Sequence, residues 1–383
     1  MLGENKILGI LGGGQLGKMI LDVSNRWGLK VFVLDSNIEC PSSKLCSKFF
    51  VGDLMDYDSV VQFGENVDLI TIEIENVNVD ALKFLESKGK KVFPQPRVIE
   101  IIQDKSKQKE FYINNGIPTS SFRSCNGIEE LKDLISKGEI SYPFIWKASK
   151  MGYDGYGVNK IFDNKGLENL SDCHCIVEEL ISIKKELSVM VALRESGEIL
   201  NYPVVEMEFN KDSNQVEYIL SPAKISQELK IKAEKLANNI AEKFKICGII
   251  AVEMFLTNED EILINEVAPR PHNSYHFSIE GSYTSQFEQF LRAILDLPLG
   301  STKILQNSVM VNLVGEENSK GIVEYKNFDQ IIGIEGVNPH IYGKFETRPN
   351  RKMGHITIIN EDIDLAKRIA KEIKETVIIT TKK

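Results

Sequence analysis

Residues 248–275 read GIIAVEMFLTNEDEILINEVAPRPHNSY, and this stretch decides the fold. Two apolar, β-branched runs flank a polar turn at 258–260, the pattern of a β-hairpin. A turn centred on Glu259 and Asp260 pairs Thr257 with Ile262, Phe255 with Ile264 and Glu253 with Glu266. Two carboxylates then face each other on adjacent strands. Like charges in that position destabilise a sheet. A cation between them removes the cost, and Asn265 adds a neutral oxygen nearby. Hard oxygen ligands of this kind suit magnesium held together with substrate phosphates. A solvated hairpin face carrying two unrelated acids fits the same residues, because the register is inferred from the turn.

Composition narrows the classes. The chain has 383 residues, 42% hydrophobic and 26% charged, enough for two or three globular domains. The net charge is -9, and no basic tract stands out. That argues against general nucleic-acid binding but leaves room for local cationic pockets that take small anions. No apolar run approaches the roughly 20 residues of a membrane span. The first residues, MLGENKILGI, lead straight into a strand pattern without the regions of a signal peptide, so a cytoplasmic protein is expected. Six cysteines at irregular spacing give no disulfide framework. Cys173-His174-Cys175 lacks a second ligand cluster for zinc and reads as a loop-to-strand junction.

Outward from the hairpin, the chain divides into three regions. Residues 1–96 alternate short apolar strands (KILGIL, KVFVLD, FFVG, DLITIEI, KVFP) with helical spacings, which implies βαβ units and a mainly parallel sheet. Residues 97–181 open with a helix expected over 97–115 and continue as a small α/β module. In it, the strand YPFIWKAS precedes the glycine-rich MGYDGYG, and CIVEELI follows. Residues 182–383 read as antiparallel strands, a long amphipathic helix over 226–245 and the acidic hairpin. A tail follows with short strands (SVMVNLVG, HIYGKFE, GHITII) and a helix at 362–375. The fold class is therefore α/β joined to α+β.

Three further motifs bear on chemistry. Gly12-Gly13-Gly14-Gln15-Leu16-Gly17 fits G-x-G-x-x-G between a strand and a helix, and Asp35 ends the next strand. Such a loop offers backbone N–H groups to an anion. Alone it suits a nicotinamide enzyme, another phosphorylated ligand, or a tight turn with no ligand. The second glycine loop, 151–157, lies between two strands and suits a flap over phosphates. Lys147, on the strand before it, is surrounded by apolar residues, and a buried lysine is costly without an anion. An edge-strand lysine with its head in solvent is the plainer alternative. Near the C-terminus Lys344, Arg348, Arg351, Lys352 and His355 form a cationic cluster, fit for a phosphorylated substrate or for a solvated face.

Lys147, the GYDG flap, the Glu178-Glu179-Leu180-Ile181 junction, the paired acids and NEVAPRPHNS together resemble the ATP-grasp superfamily. Within it the chain is most similar to the N5-carboxyaminoimidazole ribonucleotide synthetase family of purine biosynthesis. The likeness runs from GILGGGQLGKM through TIEIENV, QDKSKQK, GYDGYG and NEVAPRPHNS to RKMGHITI. It implies three domains: an N-terminal parallel α/β domain, a small central α/β lid, and a C-terminal mixed-sheet domain with ATP beneath the lid.

The resemblance also implies roles. Lys105 and Lys147 would contact ATP phosphates, under a flap of Gly152, Tyr153, Gly155 and Gly157. Glu178, Glu179, Leu180 and Ile181 would hold adenine, and Glu186 the ribose. Glu253 and Glu266 would bind magnesium, with Asn265 beside them. Asp154, Arg270, His272 and Asn273 would surround bicarbonate and the amine. Lys344 and Arg351 would take the phosphate of 5-aminoimidazole ribonucleotide, and Gln15, Leu16 and Glu73 would line its pocket. A homodimer with no nucleic-acid or membrane partner is implied too. Two departures stand out. Met151 replaces a glycine of the usual flap, and Met207 and Phe209 occupy the Asn and His positions of P-x-x-E-N-x-H. Other ATP-grasp ligases, such as a formate-dependent glycinamide ribonucleotide transformylase or a biotin carboxylase, are alternatives. A nicotinamide oxidoreductase and a nucleotide-sensing module lie further off.

Overall fold

The structure, a computed structural model, describes residues 6–150, 157–210 and 215–382. Its first unit is a parallel sheet of five described strands. Ile7–Leu11 is central, flanked by Lys30–Asp35 and then Lys48–Val51 on one side, and by Leu69–Ile72 and then Lys91–Phe93 on the other. The inner strands are apolar on both faces because helices cover both. Leu11 pairs with Leu34 on one side and Ile72 on the other. The loops that leave these strands, at Gly12 and Glu73, therefore emerge together. That is the switch point where open α/β sheets place ligands.

The helix expected over 97–115 is two helices, Pro96–Ile102 and Lys105–Asn114. The first buries Val98, Ile99 and Ile102 and the second Tyr112, and the polar run 103–110 between them carries no glycine or proline to mark a stop. Asp104 makes the break: its carboxylate caps the second helix by accepting from the backbone N–H of Ser106 and Lys107. Lys105 consequently stands at the first turn of a new helix.

The small central sheet is antiparallel, in the order Phe122–Cys125, Cys175–Glu179, Phe144–Ala148, Val158–Ile161. A nine-stranded sheet of described strands forms the largest unit, running from the acidic hairpin at one edge through Ile183–Leu193 to Ser308–Val314, Lys352–Ile359 and Val337–Ile341. Its named strand pairs are antiparallel. The tail segment HIYGKFE is not one strand. Val337–Ile341 ends at Ile341, and only Glu346–Thr347 resumes, in a separate three-stranded sheet with Gly321–Lys326 and Ile378–Thr381.

The acidic hairpin joins Gly248–Thr257 to Ile262–Ala268. Its turn spans three residues, not two. Asp260 takes a left-handed conformation (φ 59°) and the Thr257 N–H donates to Glu261 O at 2.9 Å. The register near the turn is therefore shifted by one, pairing Leu256 with Ile262 and Met254 with Ile264 in place of the expected pairs. A bulge at Asn265 then inserts one extra residue, and Glu253 faces Glu266 after all.

Candidate active site

One face of the large sheet carries the acids. Glu253 pairs with Glu266 on one side and Ser188 on the other, and Glu186 lies on the same face as Ser188. Lys105 answers Glu266 at 2.6 Å. Glu266 keeps 43% of its side-chain surface open to the cleft, so water screens part of this pair. Lys105 nevertheless holds Glu266 below the usual carboxylate range. Glu253 is driven the other way by burial, and then by the charges of Glu266 and Glu186; Lys352 and Lys105 oppose the shift. The pair thus resolves like charges by unequal ionisation. His272 Nε2 lies 3.5 Å from Glu253.

Across the cleft, Lys147 is buried, as its apolar neighbours predict, but it is not alone. Its ammonium donates to Glu178 Oε2 and to Asn265 Oδ1, each at 3.1 Å. The bulge that restores the Glu253–Glu266 register also aims Asn265 at this lysine. Glu178 is sealed inside, whereas Glu179 and Leu180 are exposed and Ile181 is half-buried. Leu180, Ile181 and Ser182 carry the chain from the central sheet to the large one. Gly157 closes the second glycine loop with φ 75°, and its carbonyl accepts from the Ala148 N–H at 2.9 Å. Met151, Gly152, Tyr153, Asp154 and Gly155 lie outside the described residues.

Glu186 is half-buried, and burial pushes its carboxyl up to about 7, against Lys160 and Lys147. Its cross-strand neighbours are Met207 and Phe255. Met207 is buried in the apolar core that includes Tyr275 and Phe277, and Phe209 packs against it. At those two positions this chain extends its core instead of presenting polar groups to the cleft.

After the hairpin, 270–272 run as irregular backbone into a short 3-10 helix at Asn273–Tyr275, and the irregular part needs hydrogen-bond partners of its own. Gln286, wholly buried, supplies them. It accepts from the His272 N–H at 2.8 Å and donates to the His272 carbonyl at 2.9 Å. Asn273 forms a reciprocal amide pair with Asn312, both bonds 2.9 Å. Arg270 reaches Glu75 of the N-terminal unit at 2.8 Å. Asn312 pairs across the sheet with His355, and His355 with His340. His340, His355 and His276 stack, and burial holds His355 and His276 well below the usual imidazole range. His355 is therefore neutral and does not belong to the cationic cluster expected from the sequence.

The first glycine loop has an occupant within the chain. Glu73 accepts from the backbone N–H of Gly14 at 3.0 Å and from those of Leu16 and Gly17 at 3.1 Å. Asp35 takes the Gly13 N–H at 2.7 Å. A Cβ at Gly12 would lie 2.5 Å from Glu73 Cγ, so the glycine serves this close approach. The donors that a dinucleotide pyrophosphate would need are already engaged, which removes the basis of the nicotinamide reading. Gln15 opens the helix beside this carboxylate, half-buried. Lys18, on the same helix, donates to Ile341 O at 2.6 Å and so draws the C-terminal segment alongside. In that segment Lys344 donates to Lys352 O at 2.7 Å, and Arg351 to Glu346 O at 2.7 Å.

Glu253, Glu266 and Asn265 are hard oxygen donors that fit magnesium. Among the described residues no group of three His, Cys, Asp or Glu side chains could hold a metal ion. A metal here would need phosphate oxygens to complete its shell, as suits an ion that arrives with a nucleotide. Glu75, Lys109, Gln286 and Asn312 escaped the sequence reading. Two of them had signals: Glu75 stands two residues after Glu73, and Lys109 lies one helical turn after Lys105. Gln286 and Asn312 act through contacts that no local pattern encodes.

Comparison with known proteins agrees with this geometry. Residues 5–103 match the ribonucleotide synthetase preATP-grasp domain and residues 110–287 the ATP-grasp domain. Residues 308–369 match the phosphoribosylaminoimidazole carboxylase C-terminal domain. The N5-carboxyaminoimidazole ribonucleotide synthase of Bacillus subtilis is 35% identical, over 94% of this chain and 92% of its own length. The N5-carboxyaminoimidazole ribonucleotide synthetase structure from Thermotoga maritima superposes with a TM-score of 0.90 at 40% identity, covering 98% of this chain and 100% of that one. The Aspergillus clavatus N5-carboxyaminoimidazole synthase, solved with ADP and 5-aminoimidazole ribonucleotide, gives 0.88 at 31% identity, covering 97% and 98%. The chain spans 64% of the length of the Saccharomyces cerevisiae phosphoribosylaminoimidazole carboxylase, to which it is 38% identical. Three consecutive domain matches, near-complete overlap with these synthases and a shared fold place the chain in the N5-carboxyaminoimidazole ribonucleotide synthase family of ATP-grasp proteins.

Proposed function

We propose that the protein uses ATP and bicarbonate to carboxylate the amine of 5-aminoimidazole ribonucleotide. The products are N5-carboxyaminoimidazole ribonucleotide, ADP and phosphate. The observation that carries this reading is the facing pair Glu253 and Glu266, with Lys105 and Lys147 beside it and the Arg270–Asn273 segment joined to the N-terminal unit at Glu75. A bicarbonate oxygen attacks the γ-phosphorus, the bond to ADP breaks, and carboxyphosphate forms. The amine then attacks the carboxyl carbon, directly or as released carbon dioxide, while phosphate leaves and the amine loses a proton.

Each residue has a task in this scheme. Lys105 and Lys147 exchange their carboxylate partners for phosphate oxygens. Magnesium entering with ATP would be held by Glu253 and Glu266 and would neutralise the β- and γ-oxygens. Arg270, His272 and Asn273 position bicarbonate, with Asp154 assigned beside them from the family pattern. Glu178 to Ile181 receive adenine and Glu186 the ribose. The ribonucleotide lies toward Gln15, Leu16 and Glu73, with its phosphate on Lys344 and Arg351. Carboxyphosphate hydrolyses readily, so the 151–157 flap excludes water. The cytoplasmic location and the homodimer rest on the sequence and the family resemblance.

Labelled bicarbonate tests the reaction. With ATP, magnesium and the ribonucleotide, label should enter an acid-labile product in step with ADP formation, and Glu266→Gln should reduce incorporation at least about 100-fold. ADP formation without label transfer, or a Glu266→Gln enzyme of near-normal activity, would contradict it.

A further inference from the structure

Helix Lys105–Asn114 turns two lysines toward the cleft, one helical turn apart. Lys105 reaches Glu266. Lys109 has no part in the scheme above, yet it is only 2% exposed. Burying an ammonium is costly unless its charge and its hydrogen bonds are both matched. Lys109 has two hydrogen-bond acceptors and a charge partner. It donates to Thr119 Oγ1 at 2.6 Å and Ser120 Oγ at 2.8 Å, and lies 3.2 Å from Glu178 Oε1.

Glu178 is shared. Its other oxygen accepts from Lys147 and from Ser120 Oγ, both at 3.1 Å. The two lysines differ in access: the Lys147 side chain is 11% exposed at the cleft, and Lys109 is sealed behind Glu178. A nucleotide phosphate can therefore draw Lys147 away but cannot reach Lys109 without displacing the carboxylate. If Lys147 leaves, Glu178 needs a second cation to remain a buried anion. The same anchorage reaches the acidic hairpin. Thr119 Oγ1 donates to Ile264 O at 2.7 Å, and the Ile264 N–H donates to Pro118 O at 2.8 Å, next to the bulged Asn265.

We propose that Lys109 is a positioning residue for the nucleotide: it is the resident counter-ion of Glu178, and it frees Lys147 to exchange Glu178 for a phosphate. This rests on the reading of Lys147 as a phosphate ligand. It predicts that Lys109 acts on ATP through Glu178, not by touching the nucleotide.

A double-mutant cycle on ATP affinity tests it, read by calorimetry with magnesium-ATP and by KM. Tight ATP binding by the wild type tests the underlying reading; its absence would sink that reading before any variant is made. Lys109→Met should weaken ATP at least tenfold while the KM for bicarbonate changes less than twofold. A general loss of structure would move both. Glu178→Gln and the double variant Lys109→Met/Glu178→Gln should bind ATP equally, because the carboxylate that needs the counter-ion is gone. Wild-type ATP affinity in Lys109→Met would overturn the proposal. So would a further tenfold loss in the double variant relative to Glu178→Gln. Should Lys109→Met fail to fold, that last comparison decides alone.

Discussion

Among the described residues, two lysines on the nucleotide side of the site are paired with an acid or an amide oxygen, and one histidine lies near an acid. Lys105 holds Glu266, Lys147 holds Glu178 and Asn265, and His272 stands near Glu253. Without ligand these lysines are held by the site's own oxygens, and in the proposed scheme nucleotide binding exchanges those partners for phosphate. Glu186 makes a pH dependence visible. Its carboxyl is raised from 4.5 to about 7, chiefly by burial. The contribution to stability is therefore complete below the unfolded value and is lost as pH rises through about 7. Nucleotide binding runs the other way, because ribose hydroxyls need the ionised acceptor. ADP affinity should be about tenfold weaker at pH 6 than at pH 8, and Glu186→Gln should flatten that slope. Calorimetric titration at several pH values checks this; an unchanged slope in Glu186→Gln would remove Glu186 from the ribose site.

At the level of elements, two breaks in regularity do most to place side chains. Asp104 caps a second helix directly after the first and fixes where Lys105 stands. Asp104→Ala should cost about 1 kcal/mol of stability in urea unfolding and should also raise the KM for ATP. Asp104→Asn keeps the cap and should recover most of both; equal damage from the two would count against capping. The second break is the bulge at Asn265. The facing of Glu253 and Glu266 was legible in the sequence, but by a route the structure corrects. The turn is one residue longer than the Glu259-Asp260 centre implies, and the bulge cancels the slip. Neither compensation has a residue signature of its own: Asp260 resembles any polar turn residue, and Asn265 any polar strand residue. The helix break was hidden for a related reason, since the polar run 103–110 carries no glycine or proline to punctuate it.

For the whole molecule, strong periodicity and glycine punctuation made the parallel N-terminal sheet and the central module legible. The tail was less so: Gly321–Lys326 and Ile378–Thr381 pair across a long sequence separation, which short-range pattern does not encode. The same limit hid Gln286 and Asn312, which support His272 and Asn273 from remote segments. Three regions meet at the site. Arg270 contacts Glu75, Lys18 contacts Ile341, and Asn273 contacts Asn312, so the glycine loop, the acidic hairpin and the C-terminal strands are mutually braced. In the proposed scheme that bracing holds the nucleotide and ribonucleotide residues side by side.

Phosphate release from magnesium-ATP and bicarbonate, with and without 5-aminoimidazole ribonucleotide, tests this scheme most directly. The account predicts strong stimulation by the ribonucleotide and an absolute need for bicarbonate. Phosphate release that ignores the ribonucleotide, despite firm ATP binding, would contradict it and leave an ATP-grasp enzyme acting on a different amine.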